Sequence, residues 1–237
     1  MSKIKNLLRQ TIQNASRRSI GFAHETNTIP NPQILIMAKA NNKTEAQKLV
    51  QAGCNLTLAE KIYKFDVEEN TVGIQIEAPT TKIINDAVDQ NIDFIIFDYE
   101  QTPANVFGES EIGQILNLPD IDDEQLTTLK FMRNIDAVFV GALPEPFFIK
   151  DQLHFRNIAA SLSAPLVALI ENVPSVNDLL ALRDSGILVL LTPNDPDLVA
   201  AVSKEILEMP LPKINTENNT FSPMIPTTGG TAEHHTH

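Results

Sequence analysis

The sequence predicts a parallel α/β domain that closes into a compact (β/α)8 barrel of the TIM type. Four stretches share one pattern, in which a predicted helix runs through a short polar joint into a buried strand. They are residues 49–58, 87–96, 131–140 and 182–191. Repetition of helix, turn and apolar strand is typical of a parallel sheet covered by helices. A domain of this kind carries its functional site at the carboxyl ends of the strands.

Short apolar runs rich in Ile, Val, Leu and Phe predict eight strands. These runs are 33–38, 54–59, 71–77, 92–98, 113–118, 135–141, 165–171 and 187–192. The helix candidates between them are 44–52, 80–90, 103–108, 122–133, 146–162, 175–185 and 195–208. The predicted N-cap residues are Thr44, Thr80, Asp122, Ser175 and Asn194. The alternative is an open doubly wound parallel sheet, but the sequence has no G-x-G-x-x-G or Walker pattern to favour it.

The 237 residues suffice for one large domain with a sizeable core. We predict a basic N-terminal helix with its lead-in over 1–32, the barrel over 33–210 and a disordered Pro-, Thr- and Asn-rich tail over 211–237. The first 20 residues carry five basic and no acidic side chains. We expect the helix they form to dock and close one end of the domain.

Composition limits the functional classes. The net charge is −12, and the chain after its first 20 residues carries −17, which argues against nucleic-acid binding. No apolar run approaches the roughly 20 residues of a transmembrane segment, and no signal peptide is evident. The single cysteine, Cys54, fits a reducing compartment, so we expect a cytoplasmic protein. Since Cys54 opens a strand, we expect a buried structural thiol rather than a nucleophile.

Charged side chains recur where the predicted strands end. They are Lys39, Glu77, Asp98, Glu171 and Asp195. Barrel topology would gather them around one mouth, and carboxylates there suit Mg²⁺ or Mn²⁺, which can polarise a carbonyl and stabilise an enolate. Lys39 would neutralise a substrate carboxylate or act as a base. The structural alternative is that acids at these places stabilise helix N-termini by about 0.3–1 kcal/mol, and Asp195 precedes a predicted helix.

Two pieces of the chain resemble the HpcH/HpaI aldolase family. In residues 165–198 a strand ends in Ile-Glu and a second strand is followed by Pro-Asn-Asp, similar to the family's Ile-Glu-Thr and Gly-Pro-Asn-Asp-Leu segments. Residues 93–100 are similar to its strand ending in Asp-x-Glu-His. The resemblance implies a barrel enzyme in which Glu171 and Asp195 hold a divalent metal. The chain departs from the family at the His, replaced by Gln101, and in lacking a strand-end Arg between 101 and 170.

Two functional hypotheses follow. The first is a metal-dependent carbon–carbon lyase, aldolase-like, that acts on a small oxo-acid through an enolate. Glu171 and Asp195 would hold the metal, and Glu77, Asp98 and Lys39 would serve the chemistry. The second is a non-catalytic barrel, descended from an enzyme, that binds a ligand or a protein partner; the missing His and Arg motivate it. Both accept a small-molecule ligand, and both leave homo-oligomerisation open.

Overall fold

The chain forms a closed eight-stranded parallel barrel with helices between the strands, which confirms the predicted fold class. The computed structural model describes residues 2–15, 32–62, 70–107, 111–132 and 134–210. Its strands are β1 (Leu35–Ala40), β2 (Leu56–Ala59), β3 (Thr71–Gln75), β4 (Phe94–Phe97), β5 (Gly113–Asn117), β6 (Ala137–Ala142), β7 (Leu166–Leu169) and β8 (Ile187–Thr192). Each strand pairs with the next along the chain, and β8 pairs with β1. Closure excludes the open doubly wound sheet.

Seven helices are described. They are α1 (Lys3–Ala15), α2 (Lys43–Gln51), α3 (Thr81–Asp89), α4 (Asp123–Leu129), α5 (Ile149–Leu162), α6 (Val176–Asp184) and α7 (Pro196–Leu207). Thr80, Asp122 and Ser175 cap their helices as predicted. The caps of α2 and α7 are Asn42 and Asp195, not Thr44 and Asn194. Within the described ranges, no helix has the length and apolar character needed to cross a membrane.

The predicted helix at 103–108 is wrong. Residues 103–107 form turns, in which the Val106 N–H donates to the Pro103 carbonyl at 3.0 Å. A six-residue segment bounded by proline and glycine gains too few hydrogen bonds to offset helix nucleation. Burial of side chains stabilises the turns instead, because Val106 is buried and the Phe107 ring lies 4.6 Å from the Phe97 ring. The predicted tail from 211 lies outside the described residues.

The polar joint of each repeated stretch has a local conformational cause. Each contains one residue with a positive φ of between 59° and 108°. These residues are Gly53, Asn91, Asn134 and Gly186. Glycine has no Cβ to oppose this left-handed conformation, and asparagine tolerates it better than most residues. The chain can therefore turn sharply from the end of a helix into the next strand.

The barrel has an interior core and a second core between its strands and helices. Successive strand residues alternate between the two, as the pleat requires. On β1, Leu35 and Met37 belong to the interior, whereas Ile36 and Ala38 face the helices. On β3, a Cβ on Gly73 would lie 2.1 Å from the Phe94 ring, so glycine makes room for that ring inside the barrel.

Helix α1 closes the amino-terminal end of the barrel. Its Ile4 is fully buried and packs with the interior core, as does Leu8. Lys3 pairs with Asp93, just before β4, with Nζ 3.1 Å from Oδ1. Lys5 pairs with Asp136, just before β6, at 3.6 Å. The basic helix is therefore docked at one end, which leaves the carboxyl ends of the strands as the open mouth.

Candidate functional site

The alternation that builds the interior core continues into polar residues at the mouth. On β1 the next interior position after Leu35 and Met37 is Lys39, which is the exposed residue of that strand. On β3 the interior position beyond Gly73 is Gln75, which is also exposed. Both side chains therefore extend inward at the open end of the barrel.

A cavity of about 480 Å³ lies at the carboxyl ends of β1, β2 and β3. It is lined by Lys39, Asn41, Leu58, Ala59, Glu60, Gln75 and Glu77. One ammonium group, two carboxylates and two amides thus surround an apolar floor. This volume and this mixture of groups suit a small polar ligand. The structure brings together two of the predicted catalytic residues, Lys39 and Glu77.

Asp98 lies on the adjacent strand end and does not line this cavity. Its backbone N–H donates to the Glu77 carbonyl at 3.3 Å. Its carboxylate is half-buried, and Oδ1 accepts the Glu100 N–H at 2.8 Å within a local turn. Asp98 therefore supports the backbone next to Glu77, and its predicted catalytic role stays a prediction.

Glu171 and Asp195 belong to no cluster of three potential metal ligands in the described part of the chain. Asp195 is the N-cap of α7, and its Oδ1 accepts the N–H groups of Asp197 at 3.0 Å and Leu198 at 3.2 Å. Glu171 is exposed at the end of β7. Among the described side chains, no group of three or more His, Cys, Asp or Glu residues is placed to hold a metal ion. Mg²⁺ often takes only one or two protein carboxylates and keeps several waters, so an ion at these residues stays a prediction from the sequence.

Sequence reasoning missed three amide residues at the mouth. Asn41 and Gln75 line the cavity. Asn117, the last residue of β5, continues the interior positions of Gly113 and Ile115, and its buried Oδ1 has no hydrogen-bond partner among the described residues. Strict alternation from Gly73 and Ile115 could have placed Gln75 and Asn117 inward. Their lack of charge made them inconspicuous among the strand-end acids.

Glu45 fixes the loop that carries Asn41. Its Oε2 accepts the Asn41 N–H at 2.9 Å and the Asn194 amide at 2.6 Å, while Oε1 accepts the Asn42 amide at 2.8 Å. The Asn41 N–H, followed by the two side-chain amides, lowers the pKa of the Glu45 carboxyl. One carboxylate therefore ties the loop after β1 to the loop after β8 and positions one wall of the cavity.

The opposite side of the mouth is apolar. Phe139 on β6 and Leu169 on β7 pack against the interior core but are only partly buried. Leu191 on β8, the register partner of Leu169, is almost fully buried. The last interior residues of β6, β7 and β8 are therefore apolar, whereas those of β1, β3 and β5 are polar, and the charged Glu171 and Asp195 follow in the loops after β7 and β8.

A second cavity of about 620 Å³ lies on the outer wall, between α3 and the connection from β4 to β5. Its apolar lining includes Ile84, Ile92 and Val106, all of which are already buried, and its Lys3 and Asp93 are already paired. It lies away from the strand carboxyl ends. Because the outer cavity lies away from the mouth and its charges are already paired, the smaller cavity at the mouth is the better candidate site.

No family model and no curated protein matches the sequence. Solved structures match the fold. A ligand-free tryptophan synthase from M. tuberculosis aligns with 87% of this chain and 100% of that chain, at 8% identity and a TM-score of 0.60. KGPDC from Streptococcus mutans aligns with 73% of this chain and 97% of that chain, at 9% identity and a TM-score of 0.54.

The YdjI aldolase from Escherichia coli K12 aligns with 74% of this chain and 89% of that chain, at 11% identity and a TM-score of 0.51. At such identities the likeness establishes the fold alone. The chain is thus a TIM-barrel protein, and solved structures of similar fold include an aldolase and a tryptophan synthase. The fold does not fix the chemistry, which depends on the residues at the mouth.

Proposed function

We propose that the chain is a lyase-type enzyme that cleaves or forms a carbon–carbon bond in a small oxo-acid. One observation carries the proposal. The ammonium group of Lys39 and the carboxylates of Glu60 and Glu77 line one cavity at the barrel mouth. A 2-oxo-acid presents a carboxylate beside a carbonyl, and this combination matches a cation placed next to proton acceptors.

The first role belongs to Lys39. Its ammonium would donate charge-assisted hydrogen bonds to the substrate carboxylate, which are stronger than neutral ones. This contact would hold the neighbouring carbonyl beside Gln75, whose amide N–H can donate to the oxygen. Because these donors stand in place before the reaction, they would stabilise negative charge as it develops on that oxygen.

The second role belongs to the carboxylates. In the cleavage direction, Glu77 or Glu60 would remove the proton from a hydroxyl on the carbon β to the carbonyl. The bond between the α and β carbons then breaks, the β carbon leaves as an aldehyde or ketone, and the bonding electrons form the enolate. The protonated carboxyl returns its proton to the α carbon, so that charge and protons balance over the cycle.

Proton exchange tests the proposal without knowledge of the full substrate. The intact protein would be incubated with pyruvate in D₂O, and deuterium incorporation at the methyl group would be followed by NMR. We expect exchange well above the buffer rate, and a fall of about 10²-fold or more in Glu77→Gln and in Lys39→Met. Lys48→Met, which removes an exposed lysine of α2, is the matched control. Wild-type exchange no faster than buffer would refute the proposal.

A second candidate function has one observation in its favour. The start of α5 exposes a group of large apolar side chains, with 53% of Phe148, 76% of Ile149 and 59% of Leu153 accessible. Such a patch is typical of a surface that binds another protein. The same exchange experiment separates the candidates, because a non-catalytic interaction barrel would leave pyruvate unchanged in every variant.

A further inference from the structure

We infer that the mouth selects oxo-acids whose far end is apolar and unphosphorylated. This inference rests on the proposed function, since it assumes that Lys39 binds the acid head. It comes from a different set of residues, on the side of the barrel away from the cavity.

A polar and an apolar residue of the mouth lie side by side on β5 and β6. Asn117 and Phe139 are direct partners in the register of these two strands. Asn117 has a buried acceptor oxygen without a partner among the described residues, and Phe139 presents part of a ring whose remainder packs on the interior core. A ligand that reaches from Lys39 to this side of the mouth would therefore meet an amide oxygen and an apolar ring next to each other.

The apolar wall continues onto the next strand. Leu169 on β7 is in register with Ala142 on β6, beyond an irregularity that separates this pair from that of Phe139 and Val167. Like Phe139, Leu169 belongs to the interior core and is only partly buried. An apolar group placed between them would remove the exposed parts of both side chains from water, which favours binding in proportion to the area covered.

A phosphate group is disfavoured at the same side of the mouth. Many barrels hold phosphate with the loops after β7 and β8 and with a helix N-terminus. Here those loops carry Glu171 and Asp195 and contain no glycine. The Asp195 carboxylate also accepts the N–H groups of Asp197 and Leu198 at the start of α7, which are donors that a phosphate would need. A fixed negative charge thus occupies the phosphate position.

Together these contacts define a substrate with three parts in order. The oxo-acid head lies at Lys39, a hydroxyl donates to Asn117 Oδ1, and a branched aliphatic or aromatic group lies against Phe139 and Leu169. This order is also the order of groups in a β-hydroxy-oxo-acid, in which the bond to be broken lies between the head and the hydroxyl carbon. Sugar phosphates do not satisfy the third part.

The test compares three acids with one head and different tails. Dissociation constants of pyruvate, 4-methyl-2-oxopentanoate and 3-phosphohydroxypyruvate would be measured by calorimetry on the intact protein. We expect 4-methyl-2-oxopentanoate to bind at least about tenfold more tightly than pyruvate, since three added carbons are buried. We expect the phosphorylated acid to bind more weakly than pyruvate.

Variants assign the preference to residues. Phe139→Tyr and Leu169→Asn put polar atoms at the apolar wall, and each should lower the ratio of the pyruvate constant to the 4-methyl-2-oxopentanoate constant about fivefold or more. Phe139→Tyr keeps the ring that packs on the interior core, so this variant is expected to fold even if Leu169→Asn does not. Lys39→Met should weaken the binding of all three acids by a similar factor and leave the ratio unchanged.

The outcomes separate this inference from the proposed function. If the three acids bind equally, or the phosphorylated acid binds most tightly, the inference is overturned while the oxo-acid site stands. If the preference exists but both wall variants keep it, the assignment to Phe139 and Leu169 is overturned. If no acid binds the wild type and none exchanges deuterium, the proposed function falls and the inference falls with it.

Discussion

The carboxylate of Asp93 holds the Lys3 ammonium of α1 at 3.1 Å with Oδ1 and accepts the Val72 N–H at 3.0 Å with Oδ2. Asp136 repeats this arrangement with Lys5 at 3.6 Å and the Gln114 N–H at 3.1 Å. Each aspartate stands one residue before a strand. Each therefore fastens both α1 and an adjacent strand at the end of the barrel opposite the mouth.

The two bonds of Asp93 should contribute unequally to stability. Asp93→Ala is expected to lower the free energy of unfolding by about 1–3 kcal/mol, because it leaves the N–H at the start of β3 without an acceptor. Lys3→Met should lower it by less than about 1 kcal/mol, since 64% of the Lys3 side chain is exposed. Urea unfolding measures both changes. Asp93→Asn, which keeps an acceptor oxygen, is the control, and an equal loss in Lys3→Met and Asp93→Ala would contradict this ranking.

The packing of α1 against the barrel depends on a glycine at the start of β5. A Cβ on Gly113 would lie 2.4 Å from Ile4 Cγ2 and 2.9 Å from Phe94 Cβ. Gly113→Ala should therefore destabilise the protein by about 1–3 kcal/mol, and Ile4→Ala by about 2–5 kcal/mol. The double variant should lose less than the sum, because Ile4→Ala removes the clashing methyl group. If the double variant instead loses as much stability as the two single variants together, the contact between the new Cβ and Ile4 is not the cause of the destabilisation.

The fold was predictable because local and global patterns agree. Capped helices alternate with apolar strands, and left-handed joints such as Gly53 and Asn91 lead from helix to strand. This alternation is typical of parallel crossover units, whose repetition closes the barrel. The error at 103–108 fell where local propensity was weak. There the contact of Phe107 with Phe97 stabilises the turns, and the hydrophobic periodicity of the sequence does not predict such a contact.

The site was predictable only in part. Lys39 lies at the carboxyl end of β1 and Glu77 just beyond that of β3, both at interior positions, so alternation and barrel closure bring them to one cavity. Asp195 was ambiguous, because an aspartate before a proline-led helix serves equally as a cap and as a ligand. The structure shows the cap bonds, and the ligand role stays a prediction. The position of Asn117 beside Phe139 depends on the register of β5 with β6. That register is set by the closed sheet, so the sequence alone does not predict it.

The cap role of Asp195 gives a test against the metal prediction. Asp195→Ala should lower the free energy of unfolding by about 0.5–2 kcal/mol, whereas Asp195→Asn should lose much less, because asparagine is an equally good cap. Thermal melts with and without millimolar Mg²⁺ complete the test. We expect no shift from Mg²⁺ in the wild type. A rise in melting temperature that Asp195→Asn or Glu171→Gln abolishes would instead support a bound ion, since a ligand stabilises the state that binds it.

Cys54 supplies a prediction about pH. Burial raises the pKa of its thiol from 9.0 to about 12, although Sγ also contacts the Leu56 carbonyl at 2.8 Å. Below pH 9 both the folded and the unfolded chain keep the proton. Between pH 9 and about 12 the unfolded chain releases it while the folded chain retains it, so this group lowers the free energy of unfolding by up to about 1.4 kcal/mol per pH unit.

Comparison with Cys54→Ala isolates that contribution. Urea unfolding of both proteins at pH 8, 9, 10 and 10.5 should show a steeper loss of stability in the wild type above pH 9, with parallel behaviour below it. A thiol reagent at pH 8 should label the native wild type slowly and the urea-unfolded chain at once, because the buried thiol reacts only after opening. Equal pH slopes together with rapid native labelling would mean that Cys54 is accessible and that its burial at the start of β2 is transient.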